Sequence, residues 1–168
     1  FNICFDVFGE DSLDYVLKKK NIYGIKIHSS DLLNKSILLK LSNFKKNIFI
    51  STGGSNFREI DYVLNYLKKK PTLMHGFQNY PTEINETCLN RIKKFQDIYK
   101  DKVNYGLQDH LKGDTEAATI VPLLSLPFNL SFLEKHVILK RENERVDNFS
   151  ALEPFELNEL NKKIIYYQ

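Results

Sequence analysis

Short, nearly continuous apolar runs alternate with amphipathic helical runs along the whole chain, and the pattern repeats about six times. Strands are predicted at Phe1 to Phe5, Tyr23 to His28, Asn47 to Ser51, Thr72 to Gly76, Val103 to Leu107 and Ser131 to His136. A strand that is apolar on both faces belongs in a parallel sheet covered by helices. The intervening helices have the matching period: Leu13, Val16 and Leu17 in Ser12 to Lys20; Ile60, Val63, Leu64 and Leu67 in Asn56 to Lys70; Leu89, Ile92, Phe95 and Ile98 in Glu86 to Lys100. Asn56 and Glu59 are spaced as a capping box. Asp114 is placed to cap the run that follows it, and Pro154 suits the first turn of a last helix reaching Tyr166. Strand and helix in strict turn imply an α/β fold with a parallel sheet.

Two architectures satisfy that pattern, an open doubly wound sheet and a barrel. No G-x-G-x-x-G follows the first strand, so a dinucleotide-binding sheet gains no support. Six units are too few to close an eight-stranded barrel. The barrel reading therefore makes the chain a partial TIM (β/α)8 barrel, one domain over residues 1–168, with the first two units outside it. The start at Phe1, inside an apolar run, points the same way, to a segment of a longer protein.

Charge and composition exclude several classes. A net charge of +3 over 168 residues is too small to drive binding to nucleic acid or to an anionic membrane. The lysine runs at Lys18 to Lys20 and Lys68 to Lys70 fall where helices should end, where cations oppose the helix dipole. Cys4 and Cys88 are far apart and in no metal-binding spacing, which suits a reduced, cytoplasmic protein. No apolar stretch approaches the roughly 20 residues that span a bilayer.

The polar chemistry gathers at predicted strand ends. His28, His75, His110 and His136 each fall at or just beyond one, and in a β/α barrel those ends share a face that carries catalysis. A lone strand-end histidine is more often structural; four together favour a shared polar site. The second strand ends Lys26, Ile27, His28, Ser29, Ser30, Asp31. The third ends Ser51, Thr52, Gly53, Gly54 before a helix N-terminus, where hydroxyls and amides suit phosphate or carboxylate, or simply a turn and cap. The fourth is followed by His75, Gly76, Phe77, Gln78, Asn79, Tyr80, Pro81, Thr82. Neighbouring strand ends place His110 and His136 to share a divalent metal of the Mn²⁺ or Mg²⁺ type, with Asp109 and Glu134 orienting the imidazoles or moving protons.

Taken in order, these stations resemble the sialic acid synthase family, including its pseudaminic and legionaminic acid relatives. The family's signatures are of the kinds F-S-T-P-F, Y-K-I-x-S-x-E, I-L-S-T-G, L-L-H-C-x-x-x-Y-P-T, G-x-S-D-H and E-K-H-F-T. The corresponding runs are Phe1 to Phe5, Ile25 to Asp31, Ile48 to Gly53, Leu73 to Thr82, Gly106 to His110 and Glu134 to Ile138, followed by Val146-Asp147-Asn148 and Ser150 to Pro154. The resemblance implies that His110 and His136 ligate the metal. It places Lys26, Ser29, Ser51 and Asp109 at phosphoenolpyruvate or active-site contacts, and Gln78, Tyr80 and Asp147 at the sugar acceptor. The implied reaction condenses phosphoenolpyruvate with an N-acetylated amino sugar of the N-acetylmannosamine kind, giving a nine-carbon keto sugar acid and phosphate. Family members commonly form homodimers through a C-terminal antifreeze-like domain, which is not expected within residues 1–168.

Several positions depart from the family pattern. Ile3 replaces a threonine, Asp31 a glutamate, Gln108 a serine, Gln78 an asparagine and Gly76 a cysteine. These changes, with two units expected outside the chain, predict that the 168 residues alone are inactive. They also keep two other readings open: a divergent, non-catalytic sugar-binding or assembly barrel within a longer protein, and another metal-dependent barrel aldolase or isomerase.

Overall fold

A computed structural model describes residues 1–141 and 147–167. They form two compact units, one of residues 1–74 and 99–104, the other of residues 75–98 and those from 105 onward.

The first unit opens with β1 (Cys4–Val7), α1 (Gly9–Leu17), β2 (Gly24–Ile27), α2 (Lys35–Leu41), β3 (Asn47–Ser51), α3 (Phe57–Leu64) and most of β4 (Thr72–His75). β1 pairs in parallel with β2, β2 with β3 and β3 with β4. Ile25, Ile27, Ile48 and Ile50 are wholly or almost wholly buried in the strands, as are Leu13, Ile37, Leu38, Leu41, Ile60 and Val63 in the helices. Burying each such side chain contributes about 1.5–3 kcal/mol, which makes this apolar stack the main support of the sheet.

Local signals place most boundaries. Asn56 Oδ1 accepts the Glu59 amide at 3.1 Å and Glu59 Oε2 accepts the Asn56 amide at 2.7 Å, completing the expected capping box of α3. That helix stops at Leu64, short of the expected Lys70. β1 starts at Cys4 rather than Phe1, because pairing with β2 begins at Cys4↔Gly24. The α2 helix had no counterpart in the sequence reading. Its seven residues are too few to show a clear period, yet Asn34 Oδ1 accepts the amides of Ser36 at 3.1 Å and Ile37 at 3.4 Å, an ordinary N-cap.

The second unit contains most of α4 (Asn90–Tyr99) and β5 (Asn104–Asp109), then α5 (Ala117–Leu124), β6 (Phe132–Val137), β7 (Ala151–Leu152) and α6 (Pro154–Tyr167). β5 pairs in parallel with β6 through Leu107↔Leu133, Gln108↔Glu134 and Asp109↔Lys135. β6 pairs with β7 through His136↔Ala151 and Val137↔Leu152. Ala118 of α5, Leu152 and Leu160 of α6 form a buried cluster, with Leu133 and Ile164 against it. Leu133 and Lys135 therefore face the helices, while Glu134 and His136 face the opposite side of the sheet.

Two expectations need correction here. The described residues contain seven strands, not six, so the reckoning of six units does not hold; β7 is only two residues long and carries no periodicity to read. Asp114 does not cap α5, whose N-cap position is Glu116 without a side-chain bond; Asp114 instead pairs with Lys112 at 3.3 Å. Pro154 does open α6. Among the described residues no helix is long and apolar enough to cross a membrane.

Candidate active site

The adjacent ends of β5 and β6 bring two of the four histidines together. The rings of His110 and His136 lie 5.1 Å apart between centroids. His110 is buried, and its Nδ1–H donates to the Phe77 carbonyl at 2.9 Å. That bond fixes the tautomer and leaves Nε2 as the lone-pair nitrogen. His136 has Nδ1 3.7 Å from Asp147 Oδ2, so its Nδ1 also faces an oxygen. Asp147 holds this place from a left-handed backbone, φ 65°. Val146, beside it in the family-like segment, lies outside the described residues.

Tyr80 completes the cluster. Its ring sits 4.4 Å from that of His110 and 5.8 Å from that of His136, and its hydroxyl donates to Gln78 Oε1 at 2.7 Å. The loop that carries it is tied to the end of β5 by Thr82, whose amide donates to the His110 carbonyl at 2.9 Å.

The carboxylate of Asp109 points to the other face of the sheet. Oδ2 accepts from Lys135 Nζ at 2.7 Å and Oδ1 accepts the Leu111 amide at 2.9 Å, with both charged side chains 3% exposed. Glu134 is on the His136 side by strand alternation. Gln108 is buried against Gly76: a Cβ on Gly76 would stand 2.3 Å from Gln108 Cγ and 2.4 Å from its carbonyl oxygen.

His75 is engaged elsewhere. Its Nε2–H donates to the Thr87 carbonyl at 2.7 Å and its ring meets Phe95 edge-on at 6.2 Å. Burial holds its pKa below the ordinary 6.5, and the Arg91 charge adds to that, against a raising effect of the Thr87 bond. The unfolded chain then takes up a proton below about pH 6.5 that the folded chain resists. Stability from this group is present above pH 6.5 and lost as pH falls through the depressed folded value. Thermal unfolding between about pH 7 and pH 5 should show a falling midpoint, and His75→Gln should remove part of that slope.

The remaining stations lie in the first unit. Lys26 pairs with Asp6 at 2.9 Å across β1 and β2. Asp31 Oδ2 accepts the Gly9 amide at 2.7 Å, which ties its carboxylate to the start of α1. Ser29 opens the short 3₁₀ turn before Asp31. His28 caps that turn through Nδ1, with Ser30 as partner, and lies 4.5 Å from the Phe8 ring. Ser51 and Thr52 are fully buried, and the Thr52 hydroxyl donates to the Met74 carbonyl at 2.9 Å. Sequence reasoning missed Asp6 and Lys135. Each is the register partner of a residue it had singled out, so the signal needed was strand pairing.

The donor set fits a divalent ion held by two imidazoles. Rings sharing an ion at metal–nitrogen distances of roughly 2.1 Å have centroids roughly 5 Å apart, and both Nδ1 atoms are turned to oxygens, as in histidine metal sites generally. Among the described residues no group of three or more His, Cys, Asp or Glu side chains could hold a metal, so these two nitrogens would be the whole protein contribution.

A model described as the NeuB family matches residues 3–168. The chain is 31% identical over 163 residues to the N,N'-diacetyllegionaminic acid synthase of Campylobacter jejuni subsp. jejuni, covering 94% of this chain and 46% of that protein. It is 24% identical over 150 residues to the pseudaminic acid synthase of Helicobacter pylori, covering 87% of this chain and 42% of that protein. It thus spans about half the length of these relatives. The crystal structure of an N-acetylneuraminic acid synthetase from Leptospira borgpetersenii, in complex with citrate, superposes with a TM-score of 0.83 at 25% identity, over 96% of this chain and 55% of that one.

Proposed function

Because the chain belongs to the NeuB family, we propose that it serves a synthase that condenses phosphoenolpyruvate with an N-acetylated amino sugar, in the making of surface carbohydrate in the cytoplasm. The His110–His136 pair, with both Nδ1 atoms facing oxygens, is the observation that carries this reading. The relatives named as legionaminic and pseudaminic acid synthases support it.

The chain's own groups suit the chemistry. His110 and His136 would hold the ion through Nε2, and imidazole donors favour Mn²⁺ over Mg²⁺. A bound divalent ion supplies a Lewis acid for the aldehyde oxygen of the open-chain sugar. Tyr80 and Gln78, locked to each other, offer a fixed ring face and an oriented amide for the sugar, with Asp147 nearby as a hydroxyl acceptor. Glu134, on the His136 face, can accept or return a proton. Lys26 and Ser29 offer a cationic and a hydroxyl group for the phosphate or carboxylate of phosphoenolpyruvate, whereas Ser51 and Thr52 are fully buried and the Thr52 hydroxyl is given to the Met74 carbonyl. The C3 carbon of phosphoenolpyruvate bonds to the aldehyde carbon, water adds at C2, and phosphate leaves as the C2 carbonyl forms. Asp31 and His75 have other engagements in the structure, with Gly9 and with Thr87, and take no step here.

One observation favours the non-catalytic alternative: Gln108 is buried against Gly76 where the family pattern has a small hydroxyl. Phosphate release separates the two. The intact protein with Mn²⁺, phosphoenolpyruvate and N-acetylmannosamine or a diacetamido hexose should release phosphate only when both substrates are present. Sugar binding by calorimetry with no phosphate released for any of these sugars would instead establish a binding module.

A further inference from the structure

The strand pair that carries the two histidines is held on its opposite face by a buried ion pair. That face carries Asp109↔Lys135 at the last rung, directly before the histidines, and the apolar pair Leu107↔Leu133 two residues earlier. The next residue on each strand is His110 and His136. The Asp109 and Lys135 side chains are both 3% exposed and 2.7 Å apart. The second oxygen of Asp109 accepts the Leu111 amide, and Leu111 bridges in parallel to Thr82, at the base of the loop carrying Tyr80.

We propose that Lys135 is a positioning residue whose ion pair with Asp109 sets the spacing of His110 and His136, and with it the affinity of the pair for a divalent ion. The proposal rests on the metal-holding reading of the two histidines. An apolar rung like Leu107↔Leu133 would pack the same face without the cost of burying two charges. A charged rung adds register. If either strand slipped by two residues, Lys135 would face Leu107 or Leu111 and both charges would be buried unpaired. A slip by one would turn His136 to the helix side. The pair thus excludes the alternatives at the strand ends, where pairing is about to stop and the two imidazoles must meet.

The test separates affinity from folding. In the intact protein, Lys135→Met with Asp109→Leu replaces the ion pair by an apolar one of similar volume. Its thermal midpoint is expected to stay near that of the unaltered protein or to rise, while Mn²⁺ affinity by calorimetry falls about tenfold or more, the range seen when groups behind metal ligands are lost. A folded double variant with unaltered Mn²⁺ affinity overturns the proposal. Lys135→Arg provides a second arm that does not depend on that fold. It keeps the charge and should bind Mn²⁺ within about threefold of the unaltered protein, whereas Lys135→Met alone should not. Arginine no better than methionine also overturns it. His110→Ala in the same titration tells the two failures apart. Affinity lost in His110→Ala but kept in the double variant removes the clamp and leaves the metal pair standing; affinity kept in His110→Ala removes the metal pair and the clamp with it.

Discussion

His110→Ala and His136→Ala should each reduce turnover by about a thousandfold or more and weaken Mn²⁺ binding beyond ready measurement. On the proposed reading two nitrogens would be the whole protein contribution to the ion among the described residues, so losing either would leave a single imidazole. A Lewis acid contributes several kcal/mol to the charge developing on an oxygen, and about 4 kcal/mol corresponds to three powers of ten in rate. Neither change should cost much stability by volume, but His110 is buried and its Nδ1–H bond to the Phe77 carbonyl would be lost. That loss costs roughly 1 kcal/mol, so His110→Ala should also unfold slightly earlier than His136→Ala. Steady-state rates, Mn²⁺ titration and thermal unfolding on the same preparations check all three points.

Gly76→Ala should be a strongly damaging small change in the second unit. The new methyl would stand 2.3 Å from Gln108 Cγ and 2.4 Å from the Gln108 carbonyl oxygen. A side chain can turn aside, but a strand carbonyl cannot without moving β5. Overpacking of this kind typically costs about 1–3 kcal/mol, and a backbone partner puts the expected loss at about 3 kcal/mol. Gln108→Ala added to Gly76→Ala should recover part of it, because the γ atom is removed while the carbonyl clash stays. A double-mutant cycle by chemical denaturation measures that coupling. Because His110 follows Gln108 by two residues, the displaced strand should also weaken Mn²⁺ binding. The same contact explains two departures from the family pattern together: a bulkier Gln108 is accommodated because residue 76 has no side chain.

The sequence was most legible where burial alone decides structure. β3 over Asn47 to Ser51 and the capping box of α3 stand as read, since continuous apolar runs and an Asn-x-x-Glu spacing are local signals. What pairing decides was less visible. β7 is two residues held by β6, and α2 is seven residues held by a cap and three buried side chains, Ile37, Leu38 and Leu41. For the site, the spacing of the motifs brought out His110 and His136 as neighbours, and their rings do meet. It did not bring out Lys135, which reads as an ordinary strand lysine until the register places it opposite Asp109. Nor did it separate His75 from the other strand-end histidines. Which face a strand-end residue takes depends on where the strand begins, and a one-residue shift reverses it.

The most direct test is electron spin-echo spectroscopy of Mn²⁺ bound to the intact protein. The account predicts modulation from two imidazole nitrogens, falling to one in either His110→Ala or His136→Ala at metal concentrations high enough to load the site. Bound Mn²⁺ without nitrogen coupling, or with coupling unchanged in both variants, would contradict it.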